Sequence, residues 1–227
     1  MTMLEAKDLV KNYKDKPVLA GTSFVLRERE IVSIVGPSGE GKSTIARILC
    51  GTVKPDSGSV LFRGESVWDR NGIYRKELRR SIQLIPQQPY ASLDPRQKIG
   101  DAIAEPLLFY RLAKDKREAR SKAAELMERV QLPTALAERR PGELSGGQAQ
   151  RALIARALSL SPFLLIADEA TSMLDISSQA QIVRIFRELS EVCGLTVLLI
   201  SHDFALVQAV SNRIYRLSKG KMLEINE

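Results

Sequence analysis

Residues Gly36, Pro37, Ser38, Gly39, Glu40, Gly41, Lys42 and Ser43 match the spacing G-x-x-x-x-G-K-[ST] without a mismatch. Its chemistry is the capture of a polyphosphate. Glycine lets the backbone turn successive N–H groups toward one point and approach phosphate oxygens closely. Lys42 then reaches the β- and γ-phosphates, the Ser43 hydroxyl ligates Mg²⁺, and Thr44 completes the nucleotide-binding set. Glu40 stands out, because a carboxylate gains nothing beside phosphates; its side chain is expected to point outward to water. Downstream, Asp168 and Glu169 are adjacent, Ser145-Gly146-Gly147-Gln148 forms a second glycine-rich element, and His202 is the only histidine. Asp168 is placed to hold the Mg²⁺ shell and Glu169 to polarise an attacking water, assistance typically worth about 10²–10⁴-fold. His202 can hydrogen-bond the γ-phosphate. Together these parts describe ATP hydrolysis, with ATP and Mg²⁺ as cofactors.

Such groups need rigid elements to aim them. IVSIV (31–35) is a β-branched apolar run ahead of the phosphate loop, as expected of a strand buried on both faces. STIARILCG (43–51) follows as a helix, with Ile45, Ile48 and Leu49 on one face and Gly51 closing it. The N-terminus of such a helix carries roughly half a positive charge and favours anions. Phe163–Ala167 reads as a second buried strand that delivers Asp168 and Glu169 at its end, and residues 195–200 as a third that delivers His202. In open α/β sheets ligands sit beyond that end of the strands. LSGGQAQRALIARALSL (144–160) reads as a loop entering a helix. Its apolar stripe is Ala149, Leu153, Ile154, Ala157 and Leu158, while Gln150, Arg151 and Arg156 face water. Ser145, Gly146 and Gly147 at that helix start make a second anion site. Spacing leaves open whether the two phosphate elements clamp one nucleotide within a chain or between two chains.

The remaining pattern predicts strands over LEAKDLV, Val18–Leu26, VLFRG (60–64) and IQLIP (82–86). A helical region spans about residues 88–160, with Ala119, Ala123, Leu126, Met127 and Val130 as one stripe. A helix at 177–192 carries Ile182, Phe186 and Leu189. Strand–helix alternation implies a parallel sheet with covering helices. The expected fold class is α/β: a P-loop nucleotide hydrolase with a mainly parallel core sheet and N-terminal antiparallel strands. A helical subdomain at about 88–160 carries LSGGQ, within one domain covering residues 1–227.

On these motifs the chain resembles the ATP-binding subunits of ABC transporters, over nearly its whole length. LSGGQ (144–148) matches that family's signature sequence. The resemblance implies that Gln87 is the Q-loop residue that senses Mg²⁺ and the permease. It likewise implies that Ser172–Asp175 is the D-loop with Asp175 at the nucleotide, His202 the switch histidine, and Tyr13 the ring that stacks on adenine. It further implies two ATPase subunits packed head to tail, each ATP lying between one P-loop and the partner's LSGGQ. Two transmembrane permease subunits would turn that motion into alternating access, with an extracytoplasmic substrate-binding protein acting indirectly. The second ATPase subunit is expected to be a different chain, with a homodimer as the alternative. Met173, Ala149 and Pro86 depart from the family's usual residues, and none of them removes a catalytic group. PYASLDPR (89–96) resembles the dipeptide, oligopeptide and nickel importer branch. Because the sequence stops soon after YRLSKGKMLEI, the expected cargo leans toward nickel or a metal chelate over peptide.

Composition agrees with a filled core and with no membrane span. The 227 residues are 44% hydrophobic, enough for one well-filled α/β domain. No apolar run approaches the ~20 residues needed to cross a bilayer, and the N-terminus lacks a signal-peptide core. The expected location is the cytoplasmic face of the cell membrane, as a peripheral subunit. Cys50 and Cys193 read as buried small hydrophobes. The formal charge of +7 raises nucleic acid as a partner. However, Arg75–Arg80 and Arg111–Lys122 interleave acids and lack aromatic partners, so solvated helix faces and no nucleic acid are expected. A soluble ABC-type ATPase serving DNA or ribosomes is the alternative reading. Its known forms carry long coiled-coil insertions or fused second ATPase domains, and this sequence has neither. In a small P-loop kinase, LSGGQ and the Asp168-Glu169 pair would have no use.

Overall fold

The hydrophobic pattern resolves into two sheets and two groups of helices in the computed structural model, which describes residues 1–14 and 16–225. By internal contacts the chain forms two units: residues 1–84, 163–169 and 186–227, and residues 85–162 with 170–185.

The first unit opens with β1 (Thr2–Tyr13) and β2 (Lys16–Arg27), an antiparallel pair. β4 (Ser57–Phe62) joins the other side of β1, and the short β5 (Glu65–Ser66) pairs with β4, giving the order β2-β1-β4-β5. The second sheet is built around β3 (Ile31–Val35), whose five residues are all buried. Its order is β10-β9-β3-β8-β7-β6, with β6 at Ile82–Ile85, β7 at Leu164–Asp168, β8 at Thr196–Ser201, β9 at Arg213–Ser218 and β10 at Lys221–Ile225. β9, β3, β8 and β7 run parallel, and β10 returns antiparallel to β9. The expected mainly parallel core and antiparallel N-terminal strands are both present. Between the sheets α1 (Lys42–Leu49) buries Ile45, Ile48 and Leu49 completely, against Leu4, Phe24, Val32, Ile34, Leu164 and Ile166. The positive φ of Gly51 closes that helix, as predicted.

In the second unit, α3 (Ile99–Phe109), α4 (Lys116–Arg129) and α5 (Gly146–Leu158) pack on one another. The Asp115 carboxylate caps α4 by accepting from the Glu118 amide at 2.8 Å, and Ala119, Ala123 and Met127 form the buried face. α6 (Ile176–Cys193) begins in this unit and ends in the first, and Ile182, Phe186 and Leu189 are its buried stripe. Two short helices complete the first unit: α2 (Leu78–Ser81) and α7 (Phe204–Val210). No helix among the described residues is long and apolar enough to cross a membrane.

Three expectations are corrected. Gln150 is fully buried rather than facing water, because α5 is enclosed almost all round by apolar neighbours and leaves no solvent face at that position. Arg151 and Arg156 turn back onto the chain, donating to the carbonyls of Gln131 and Ser92 respectively. Cys193 is exposed, lying one turn beyond the last core residue of α6, whereas Cys50 is half-buried against the core. The basic stretches are largely solvated as expected, and they also pair with acids: Arg75 with Glu65 and Glu77, Arg120 with Asp101, Lys122 with Glu118. Residues 213–225 carried no strand prediction, yet form β9 and β10. Their signal was two alternating stretches around Lys219-Gly220, a short hairpin pattern.

Candidate functional site

Strand register decides which groups meet in the first unit. β8 lies between β3 and β7, with Val35 opposite Ser201 and Asp168 opposite Ile200. The three strands therefore end at one level, and the chain leaves them into Gly36, Glu169 and His202 side by side. This is the carboxyl edge at which parallel sheets present ligand-binding groups.

Gly36 and Gly41 are required there for different reasons. A Cβ on Gly36 would stand 2.4 Å from the Leu217 carbonyl oxygen of β9, so the start of the loop is glycine for space. Gly41 is the N-cap of α1 at φ 102, and a Cβ there would also meet the Val18 side chain at 2.6 Å. No side chain caps α1, so its first amides point into the loop without a side-chain acceptor. The Lys42 ammonium crosses the loop and donates to the carbonyls of Gly36 and Pro37, each at 2.8 Å. Lys42 and Thr44 are buried, whereas Pro37, Ser38 and Gly39 are exposed. Glu40 does not run out to water: its carboxylate accepts from the Lys219 backbone N–H at 2.6 Å. Its outward expectation is corrected because the β9–β10 turn lies against the loop and offers that donor.

The Ser43 hydroxyl donates to Asp168 Oδ1 at 3.1 Å, so the two residues expected to hold Mg²⁺ already touch. Burial raises the Asp168 carboxyl above its ordinary pKa, helped by the Glu169 charge and opposed by the Ser43 hydrogen bond, Arg47 and Lys42. A hydroxyl and a carboxylate are hard oxygen donors, which fits Mg²⁺. The next residue carries backbone strain. Glu169 sits at φ 50, a region that few side chains other than Asn or Asp occupy, and its amide is held by the Ile200 carbonyl at 2.9 Å. Glu169 Oε1 lies 3.6 Å from His202 Nδ1. Asp203 caps α7 by accepting from the Leu206 amide at 3.0 Å, which fixes the chain just after His202.

Tyr13 ends β1 opposite Lys16, exposed at 42%, with the Lys11 ammonium 5.8 Å from its ring centre. It stands apart from the residues of the core.

The second unit gathers the other predicted residues. Ser145 is the N-cap of α5 in a reciprocal capping box: its hydroxyl accepts from the Gln148 amide at 3.3 Å, and Gln148 Oε1 accepts from the Ser145 amide at 2.9 Å. Gly147 is glycine because Ser178 approaches; a Cβ would lie 2.7 Å from Ser178 Oγ. Ser178 is in turn held by Asp175, whose carboxylate accepts from its amide at 2.9 Å and its hydroxyl at 2.8 Å. Asp175 therefore caps α6, and the hydrogen bonds from the Ser177 hydroxyl and from Ser178 hold its pKa well below the usual carboxylate range. The Gln87 amide donates to Ser172 Oγ at 3.3 Å, and the Tyr90 hydroxyl donates to the Leu144 carbonyl at 2.8 Å, directly before Ser145. Ser178 and Tyr90 had no predicted role here. The spacing D-x-x-S from Asp175 could have pointed to Ser178 as a capped position. For Tyr90 the sequence holds no comparable signal, since its partner is a backbone carbonyl 54 residues away.

The structure thus brings Lys42, Ser43, Asp168, Glu169 and His202 together in one unit, and Gln87, Ser145–Gln148 and Asp175 together in the other. The sequence profile described as ABC transporter matches residues 19–172. A putative peptide import ATP-binding protein of Brucella abortus is 46% identical over 204 residues, covering 89% of this chain and 60% of that protein. The oligopeptide transport ATP-binding protein AppF of Bacillus subtilis is 41% identical over 236 residues, covering 99% of this chain and 71% of AppF. The chain thus spans about three-fifths to seven-tenths of the length of these two relatives, 60% and 71%. Among solved structures, the dimeric bacterial ABC transporter cassette MJ0796 superposes with a TM-score of 0.85 at 31% identity, covering 99% of this chain and all of that one. This chain belongs to the ABC transporter family.

Proposed function

We propose that the chain is the ATP-hydrolysing, energy-coupling subunit of a multi-subunit ABC importer. The observation that supports this is that β3, β7 and β8 end at one edge of the sheet, where Ser43 meets Asp168 and Glu169 lies near His202. In this reading the open amides of α1 and the Lys42 ammonium bind the β- and γ-phosphates. Ser43 and Asp168, with Gln87, would hold Mg²⁺, which when bound neutralises charge on the phosphate oxygens. Glu169 accepts a proton from a water whose oxygen attacks the γ-phosphorus. The bond from that phosphorus to the bridging oxygen breaks, ADP leaves with the electron pair, and His202 donates a hydrogen bond to a γ-oxygen. No covalent intermediate on the protein is needed; catalysis here is positioning and charge stabilisation.

Ser145, Gly146, Gly147 and Gln148 would close over the γ-phosphate bound by a second cassette, and Tyr13 would stack on adenine. The dimeric form of the related MJ0796 cassette supports the two-subunit arrangement. Two transmembrane permease subunits would supply the path, with this chain peripheral on the cytoplasmic face and a substrate-binding protein on the other side. The relatives are named for peptide and oligopeptide import, which favours a peptide-class cargo over the nickel or metal-chelate cargo expected from the sequence. The test is isolation of the chain with its neighbours from gently solubilised native membranes. Two permeases and a second ATPase, with ATP turnover stimulated by a peptide-loaded binding protein, is the expected result. Recovery with soluble proteins or nucleic acid alone would overturn the importer reading.

A further inference from the structure

Glu40 is the one acidic residue among Gly36–Ser43, where negative charge opposes phosphate binding. Its carboxylate accepts a hydrogen bond of 2.6 Å from the Lys219 backbone amide. Lys219 and Gly220 form the two-residue turn between β9 and β10, closed by the pairing of Ser218 with Lys221. Their φ values are 48 and 72, the pattern of a type I′ turn. Such turns favour Asn, Asp or Gly at the first position, so Lys219 holds a conformation its side chain disfavours. The turn is fastened on its far side, where the Gly220 carbonyl accepts from the Ala20 amide at 2.8 Å and from the Thr22 hydroxyl at 2.6 Å. The same hairpin also meets the first residue of the phosphate loop, since Leu217 carbonyl oxygen fills the space where a Gly36 Cβ would stand. β9 and its turn therefore bear on the loop at two points, by close packing at Gly36 and by a charge-assisted hydrogen bond at Glu40.

We infer that Glu40 is a positioning residue: its carboxylate pins the phosphate loop to the β9–β10 turn and so holds the amide cradle in shape for a nucleoside polyphosphate. This rests on the reading of that loop as a nucleotide site. A carboxylate serves the pin because hydrogen bonds to an ionised acceptor are roughly twice as strong as neutral ones. The same charge repels the ligand, so the two effects oppose each other and can be separated. Glutamine keeps an acceptor of the same reach without the charge, whereas alanine loses both.

The experiment compares the full chain with E40A, E40Q, K219G and K42A, using equilibrium binding of a fluorescent ADP analogue and amide hydrogen exchange at Lys219. E40A is expected to bind the analogue about five- to ten-fold more weakly than E40Q, the scale of one lost hydrogen bond to a neutral acceptor. Its Lys219 amide should exchange faster by a similar factor. E40Q should bind more tightly than E40A and keep the slow exchange, and K219G should keep it too, because only the amide is used. An E40A variant that binds as tightly as E40Q would overturn the pin and leave Glu40 as a source of repulsion only. Equal exchange at Lys219 in the parent and E40A would overturn it as well. That second readout needs no nucleotide, so it decides the pin even where parent and K42A both fail to bind ADP, the outcome that would instead defeat the nucleotide reading. If E40A does not fold, E40S, whose hydroxyl is too short to reach Lys219, makes the same comparison.

Discussion

The chain contains two glycine-rich helix starts, and they are finished in opposite ways. α1 begins at Gly41 with no side-chain cap, so its amides stay open and Lys42 lies across the loop beside them. α5 begins at Ser145 with a reciprocal capping box, so two amides are already satisfied from within. An uncapped helix start behind a glycine-rich loop is suited to take a phosphate into itself. A capped start is stable as it stands, and of its first residues Ser145 is exposed and Gly146 half-buried, while Gly147 is buried. In the proposed function the first would serve as the receptor and the second as a finished surface pressed against a bound ligand. A glycine-rich motif alone does not separate these cases; the partner of the first free N–H does.

Substitutions can break that contrast at each end. Lys42→Ala removes the cation from the receptor and should lower ATP turnover by roughly a thousand-fold or more through lost binding, read by equilibrium nucleotide binding alongside a phosphate-release assay. Glu169→Gln leaves the receptor intact and should slow hydrolysis by about 10²–10⁴-fold while ATP remains bound. Size-exclusion chromatography with ATP should show that variant accumulating as a dimer with itself or its partner subunit. A persistent monomer with both supplied would count against the closed two-subunit arrangement. Gly147→Ala tests the finished surface, because its methyl would meet Ser178 Oγ at 2.7 Å and displace the start of α5 from α6. ATP binding by the isolated chain should stay near normal, while turnover of the assembled complex falls about ten-fold or more, the scale set by misplaced positioning groups. Smallest of all, Ser145→Ala removes a helix cap and should cost about 1 kcal/mol of stability, seen as a lower unfolding midpoint in denaturant. Equal midpoints would mean that the capping box contributes little and that the two helix starts differ less than their geometry implies.

How much of this was legible beforehand varies by residue. The phosphate loop, the buried strand IVSIV and the stripe of Ile45, Ile48 and Leu49 follow from local spacing, and all three are in place. The stripe of α6 was equally readable, since Ile182, Phe186 and Leu189 recur at helical period and are buried. Gln150 was misjudged because periodicity around one helix cannot say how many sides of it are covered. β9 and β10 were missed because arginines and lysines interrupt their apolar alternation. In the fold one of those charges is paired: Arg213 meets Glu30, far away in the chain, and Glu224 of the neighbouring β10. That pairing holds the Arg213 guanidinium above its usual pKa.

From residue order alone came the inventory: a polyphosphate cradle, a carboxylate pair, a lone histidine, a second glycine-rich helix start, and the α/β alternation that must support them. These are legible because loop spacing, helical period and buried-strand composition act over a few neighbouring residues. Tertiary structure decided the rest. Only the insertion of β8 between β3 and β7 brings Gly36, Glu169 and His202 to one edge, and hydrogen-bond registry between strands far apart in the chain sets that order. Only the return of β9 against Gly36 gives Glu40 a backbone donor. Such contacts depend on which surfaces share a core, and no window of sequence contains both partners.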